Sequence, residues 1–276
     1  VLNGTDPVDA ICRRAASPDS DAEVAAVIAR LTAMIPGEGA LRPVLAWHLA
    51  ASGAMSRARL ALRLGSALDL PPETAIDLAT VSQAVHEASL LLDDINDRSQ
   101  TRRGRPTAWV RFGQDQAMLA AVRLVTSAQR LAMAVDARNR SSPSLAAIVG
   151  SVVEEALDGQ ATELIELPRD WAKYDWIVRR KTGGLMALPI LLAAQAAGLK
   201  RETVGSLQQF AGQLGLAYQI ADDIADGGFN AHVWSDVVPT PQQRLDALIA
   251  QIRIELADLP QAISGPLDRL IDDLLP

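Results

Sequence analysis

Two short acidic runs carry the residues best suited to chemistry. Asp93-Asp94-Ile95-Asn96-Asp97 and Asp222-Asp223-Ile224-Ala225-Asp226 share the form DDxxD, and each closes a long apolar stretch with helical patterning. Residues four apart on a helix share a face, with Cβ atoms ~5–6 Å apart. Asp93 therefore points with Asp97, and Asp222 with Asp226, while Asp94 and Asp223 lie one step round. A carboxylate at a helix C-terminus opposes the helix dipole, at roughly 0.3–1 kcal/mol each. Hard oxygen ligands at i and i+4 suit Mg²⁺, which keeps several waters and takes substrate phosphate oxygens as further ligands. A single DDxxD is as readily a solvated acidic helix end. Two copies at matching places point to a two-sided metal–phosphate site.

The cations that could meet a phosphate are few in kind. The chain has only the lysines Lys173, Lys181 and Lys200, so an anion site must lean on arginine, backbone N–H groups or metal. The formal charge of −7 and pI near 5.0, with no basic run, exclude nucleic acid as a partner. One cysteine, Cys12, forms no intramolecular disulfide and no Cys/His metal site, which fits a cytoplasmic setting. The opening residues show no charged-then-apolar signal pattern, and Val1 reads as a chain that has lost its start. The longest apolar stretch, Met186 to Leu199, contains Pro189 and falls short of the ~20 residues a bilayer needs, so no transmembrane segment is expected.

The elements that must hold these groups read as helices throughout. Ala and Leu dominate and 49 % of residues are apolar, but aromatics are only 4 %, so an aliphatic helical core is expected. The patterning predicts helices near 21–34, 42–52, 56–68, 73–97, 107–135, 142–166 and 202–226. It also predicts segments within 170–199 broken at Gly183-Gly184 and Pro189, and a final pair split at Pro260. The loop from Ser99 to Pro106 is basic, and the stretch from Phe229 to Pro241 reads as irregular. The fold class is all-α, in one domain over residues 1–276.

The segment His86-Glu87-Ala88-Ser89-Leu90-Leu91-Leu92-Asp93-Asp94, continued by Arg102-Arg103-Gly104-Arg105-Pro106-Thr107, resembles the first signature of the trans-isoprenyl diphosphate synthases. Gly215 to Asp226 resembles the second. Gly159-Gln160 and Lys181-Thr182-Gly183 lie between them in the family's order, and Leu41-Arg42-Pro43 resembles the end of its N-terminal GGKRxRP element. The resemblance runs from about residue 36 to 226, and the ordered set is far more specific than any one piece.

That resemblance implies a single helical bundle around a deep central cavity, working as a homodimer. Three Mg²⁺ ions would bridge the aspartates to an allylic diphosphate, which ionises and is attacked by isopentenyl diphosphate. Asp93, Asp94 and Asp97 would ligate metal on one side and Asp222 and Asp226 on the other, with Asp223 beside them. Arg102 would hold the allylic diphosphate, and Arg42, His86 and Arg103 the isopentenyl diphosphate. Lys181 and Gln219 would contact the allylic diphosphate, and Thr182 and Gln160 would line the reaction centre. Ala88 and Ser89, one turn below Asp93, would form the floor under the growing chain. Their small size favours a C20 product, geranylgeranyl diphosphate, with C15 next. Met118 or Leu119 is an alternative floor. The five tryptophans read as packing residues.

Three departures bear on this reading. The GGKRxRP lysine and its neighbouring arginine are Gly39 and Ala40, the histidine often found before the first DDxxD is Leu92, and no lysine follows Lys200. A longer loop is expected between Gly228 and Val238. The lost lysine supports a second reading, a terpene synthase-like enzyme that ionises a prenyl diphosphate without isopentenyl diphosphate. A third is a non-catalytic partner subunit of another prenyltransferase, against which both intact aspartate clusters count.

Overall fold

The computed structural model describes residues 22–51, 53–139, 144–229, 234 and 237–275. Cys12, and most of the segment where a longer loop was expected, lie outside them. The chain groups into two compact units, one formed by residues 1–62 and 71–140, the other by residues 63–70 and 141–276.

In the first unit, α1 (Ala22–Ala33) and α2 (Leu41–Leu49) precede α3 (Ser56–Ala67), whose later residues belong to the second unit. The long α4 (Pro72–Asn96) starts cleanly because Pro71 is its N-cap, Pro72 takes the first helical position and Glu73 favours the dipole. It is buried on nearly every side from Thr74 to Asp94, as expected of a helix without a polar face. A two-residue hairpin follows, β1 (Thr101–Arg102) pairing antiparallel with β2 (Arg105–Pro106). Arg103 and Gly104 both take positive φ, +52° and +72°, as a type I′ turn requires. The helix predicted from 107 is split: α5 (Ala108–Phe112) ends at Gly113, whose φ of +90° turns the chain into α6 (Gln114–Asn139). α6 packs along α4, with Ala117, Ala120, Ala121, Leu124 and Ala128 inside. It is also the one helix among the described residues long and apolar enough to cross a membrane, by length and composition; packing on α4 covers one side of it, and 39 % of its apolar window is buried.

In the second unit, α7 (Leu145–Ile165) is capped by Ser144, which accepts from the Ala147 N–H, and α8 (Trp171–Val178) by Asp170, which accepts from the Lys173 N–H. A π-helical turn (Arg179–Gly183) follows and runs into α9 (Gly184–Ala196). The breaks expected at Gly183-Gly184 and Pro189 do not occur. The helix continues through Pro189 and is buried from Met186 to Gln195. α10 (Arg201–Ala225) packs on α9 and on the π turn. α11 (Pro241–Ala257), opened by a Thr240–Gln243 capping box, packs on α10, and α12 (Gln261–Leu274) packs on α11. Apart from the hairpin, the regular elements among the described residues are helices, and the all-α expectation is met.

Candidate active site

The two DDxxD helices end in the same way. After α4, Ser99 N–H donates to the Asp94 carbonyl (3.0 Å) and Arg98 N–H to the Ile95 carbonyl (3.3 Å). After α10, Gly228 N–H donates to Asp223 (2.7 Å) and Gly227 N–H to Ile224 (3.3 Å). The residue past each cap is left-handed, Arg98 at φ +52° and Gly227 at +69°. These are Schellman caps, which satisfy the last carbonyls and stop the helix just beyond its third aspartate. The motif thus sets both the acids and the turn that ends their helix.

In the first unit the acids differ in role. Asp94 is buried; its Oδ1 accepts from Arg102 Nε at 2.7 Å, while its Oδ2 is buried with no hydrogen-bond partner among the described residues. Burial pushes its carboxyl up, against the pull of Arg102. Asp93 is half-buried and Asp97 exposed. Trp47, His48, Ala51, Asp94, Arg102, Arg103, Arg105 and Thr107 line a small open cleft. Trp47 braces its wall, donating to the Pro106 carbonyl at 3.0 Å and lying under the guanidiniums of Arg105 and Arg111, 3.8 and 3.9 Å from its ring centre. Arg103 donates to the Ala51 carbonyl at 2.5 Å.

His86 accepts at Nε2 from Arg57 of α3, 3.2 Å away. Arginine keeps its proton, so this nitrogen carries none and the ring's hydrogen sits on Nδ1. Burial, then the charge of Arg57, hold the His86 pKa well below its usual value. Arg42, also named from the sequence, reaches the Pro36 carbonyl at 3.5 Å, and Gly39 sits in the turn before α2 at φ +105°. Arg57, His48 and Glu87 escaped the sequence reading. No spacing rule links Arg57 to His86, and Glu87 was quoted only as part of a motif.

In the second unit the π turn places Lys181 and Thr182. Lys181 Nζ donates to Glu163 Oε2 at 2.5 Å, and Gln160 Nε2 donates to the same oxygen at 3.2 Å. Thr182 donates to Gln219 Oε1 (3.2 Å), and Gln219 Nε2 to Asp223 Oδ1 (2.9 Å). The Tyr174 hydroxyl donates to Asp223 Oδ2 (2.6 Å). Tyr174 stands in a ring cluster with Trp171, Phe229 and Trp234, and burial followed by the Asp223 charge pushes its hydroxyl up. Glycines let these helices meet. A Cβ on Gly159 would lie 2.6 Å from the Lys181 backbone nitrogen, and one on Gly215 would lie 2.7 Å from the Gly183 Cα. Gly159 of the Gly159-Gln160 pair is thus a notch for the π turn. Asp222 and Asp226 are exposed; partial burial, then the charges of Asp226 and Asp223, push the Asp222 carboxyl up.

Among the described residues no three His, Cys, Asp or Glu side chains gather into a metal cluster by themselves. The donor set still fits a hard cation. Asp94 offers a lone buried oxygen, and Asp222 is crowded by like charges that a cation would relieve. An ion completed by water and substrate oxygens needs no closed protein cage.

Ala88 is buried, as are Ala84 and Val85 a turn below, and the Ser89 hydroxyl donates to the His86 carbonyl at 2.8 Å. Met118 and Leu119, the alternative floor, are 43 % and 50 % exposed on α6.

Residues 40–232 match the family model for polyprenyl synthetases. The chain is 31 % identical to farnesyl diphosphate synthase of Geobacillus stearothermophilus over 74 % of this chain and 71 % of that enzyme. It is 32 % identical to geranylgeranyl diphosphate synthase of Pantoea ananas over 72 % and 70 %. With (2E,6E)-farnesyl diphosphate synthase of Mycobacterium tuberculosis it shares 30 % identity over 67 % of this chain, spanning 55 % of that enzyme. Among solved structures, an isoprenoid synthase family member from Thermotoga neapolitana superposes with a TM-score of 0.76 at 20 % identity, covering 91 % of this chain and 98 % of that one, which shows the shared fold. From sequence and fold together, the chain belongs to the polyprenyl synthetase family, the isoprenyl diphosphate synthases.

Proposed function

We propose that this chain is a Mg²⁺-dependent trans-prenyltransferase that condenses an allylic prenyl diphosphate with isopentenyl diphosphate to geranylgeranyl diphosphate, with a C15 product next. The single observation that carries the reading is the pairing of two identically capped DDxxD helix ends with an arginine hairpin latched to the first of them. The family match, running from 40 to 232 through both units, supports their acting as one domain.

Asp93, Asp94, Asp97, Asp222 and Asp226 would hold the ions. Bound Mg²⁺ supplies Lewis-acid stabilisation of the charge on a departing diphosphate. The chain's own residues do the rest. Arg102 and Lys181 rest on carboxylates, Asp94 and Glu163, and exchange these for diphosphate oxygens, so their charges are already aimed when substrate arrives. Arg57 donates into His86 Nε2 and so keeps the ring's hydrogen on Nδ1, a fixed donor for the isopentenyl diphosphate beside Arg103. Gln219 and Tyr174 hold Asp223 still. Thr182 and Gln160 flank the reacting carbons. Ala88 and Ser89 leave room below Asp93 for a C20 chain.

The assembly we propose is a cytoplasmic homodimer. Met118, Leu119, Val122 and Met133, all exposed on α6, offer a second copy an apolar face.

The test is product analysis with Mg²⁺ and dimethylallyl, geranyl or farnesyl diphosphate, with and without isopentenyl diphosphate. Longer diphosphates are expected, and only when isopentenyl diphosphate is present. Hydrocarbons or alcohols formed without it would overturn the reading in favour of a terpene synthase, and absence of turnover would favour a partner subunit. Ala88→Phe and Ser89→Phe should each shorten the product, because overpacking a closed floor costs about 1–3 kcal/mol.

A further inference from the structure

Glu87 carries a charge that the reaction described above does not use. It is fully buried on α4, seven residues before Asp94 and therefore on the same face two turns away. Its Oε1 accepts from Gln83 Nε2 at 2.9 Å and lies 3.8 Å from Arg103 Nη1; its Oε2 lies 3.0 Å from His48 Nε2 of α2. A lone buried carboxylate is strongly disfavoured, so these contacts are what keep it ionised. The two buried acids divide the hairpin between them, Asp94 taking Arg102 and Glu87 facing Arg103. Gly53 completes the seat. A Cβ there would meet the Arg103 guanidinium at 2.8 Å.

We infer that Glu87 is a positioning residue for isopentenyl diphosphate. Together with His48 it fixes the plane of the Arg103 guanidinium in the cleft wall, so that the remaining N–H donors of the fork meet the diphosphate already oriented. The inference rests on the proposed elongation reaction. A guanidinium carries five N–H donors in a rigid fork; the bond to Ala51 engages Nη1, and the Glu87 carboxylate 3.8 Å away attracts the charge on that same nitrogen without taking a hydrogen bond, which leaves the other donors of the fork for a ligand. The titratable and charged groups around Glu87 are His48 from α2, Arg103 from the hairpin and His86 on its own helix, with Arg57 of α3 behind His86.

The test compares Glu87→Gln, Glu87→Asp and Gly53→Ala with the parent enzyme. Glu87→Gln keeps the shape and removes the charge; Gly53→Ala displaces the guanidinium without touching Glu87, and so serves if the first variant folds badly. Both should raise the KM for isopentenyl diphosphate on the order of tenfold, with the allylic KM and kcat within about twofold. Glu87→Asp should recover part of the loss. An isopentenyl KM within twofold of the parent in Glu87→Gln or in a folded Gly53→Ala overturns the inference, as does a parallel loss for both substrates. Calorimetry with isopentenyl diphosphate alone separates this from the function itself. If the parent enzyme does not elongate yet binds isopentenyl diphosphate more tightly than Glu87→Gln does, the function fails and the positioning role stands. If the parent does not bind it, or both bind it equally, the positioning role fails.

Discussion

A carboxylate that is wholly buried usually protonates, and Glu87 does the reverse. Burial pushes its pKa up, but the His48 contact and the charges of His48, His86 and Arg103 outweigh it and hold the group at about 2, below the ordinary 4.5. A carboxyl depressed on folding stabilises the protein above pH 4.5 and loses that contribution as the pH falls toward 2. The gap corresponds to about 3 kcal/mol. Denaturant unfolding at pH 5 and pH 2 should therefore show the parent losing about that much more stability than Glu87→Gln; equal losses would mean the charge is not held by these partners. At this scale the sequence was only partly informative. The Arg-Pro dipeptide drew attention to Arg42, which reaches Pro36, whereas Arg57 stands beside His86 across 29 residues of chain. Such a partner becomes visible only when α3 is laid against α4. The aspartates were legible because helix spacing is a local property, whereas Arg102 and Arg103 were named through the family resemblance, in a stretch read as a basic loop that folds as a hairpin.

The helices carry two devices that a pattern of apolar residues does not reveal. One is the twin Schellman caps, hidden because Arg98 does at one end what Gly227 does at the other. The other is the π turn at Arg179–Gly183, read from the sequence as a glycine break. It stays helical because Gly159 and Gly215 let α7 and α10 close on it, bringing Thr182 to Gln219 and Lys181 to Glu163. Gly215→Ala puts a methyl 2.7 Å from the Gly183 Cα, where only backbone can yield. It should cost about 1–3 kcal/mol and lower kcat as the Thr182–Gln219 contact opens. Gly205→Ala, in the same helix with nothing within 4 Å, should leave activity unchanged and add up to ~1 kcal/mol. Thermal melts and steady-state rates on the pair distinguish a close-packed notch from a general glycine effect.

Across the whole molecule, a net charge of −7 includes six aspartates gathered at two helix ends. Partial burial, then the like charges of Asp226 and Asp223, push the Asp222 carboxyl up, and a divalent cation would relieve the repulsion. Anything that binds the folded chain alone stabilises it, by about 2.7 kcal/mol at a hundred times its Kd. Mg²⁺ with inorganic pyrophosphate should therefore raise Tm by more than the two separate effects combined, since each completes the other's ligand set. Purely additive shifts in a melting experiment would argue against a shared metal–phosphate site. The fold class was legible at this scale because nearly every segment repeats one helical pattern.

The hairpin turn has a further consequence. Arg103 holds a left-handed backbone, φ +52°, at a place where glycine would sit without strain, and a side chain there costs roughly 1–2 kcal/mol. Glycine or asparagine at this position would relieve that cost and would also take the guanidinium out of the cleft wall, so durability and the placement of this charge pull on one position in opposite directions.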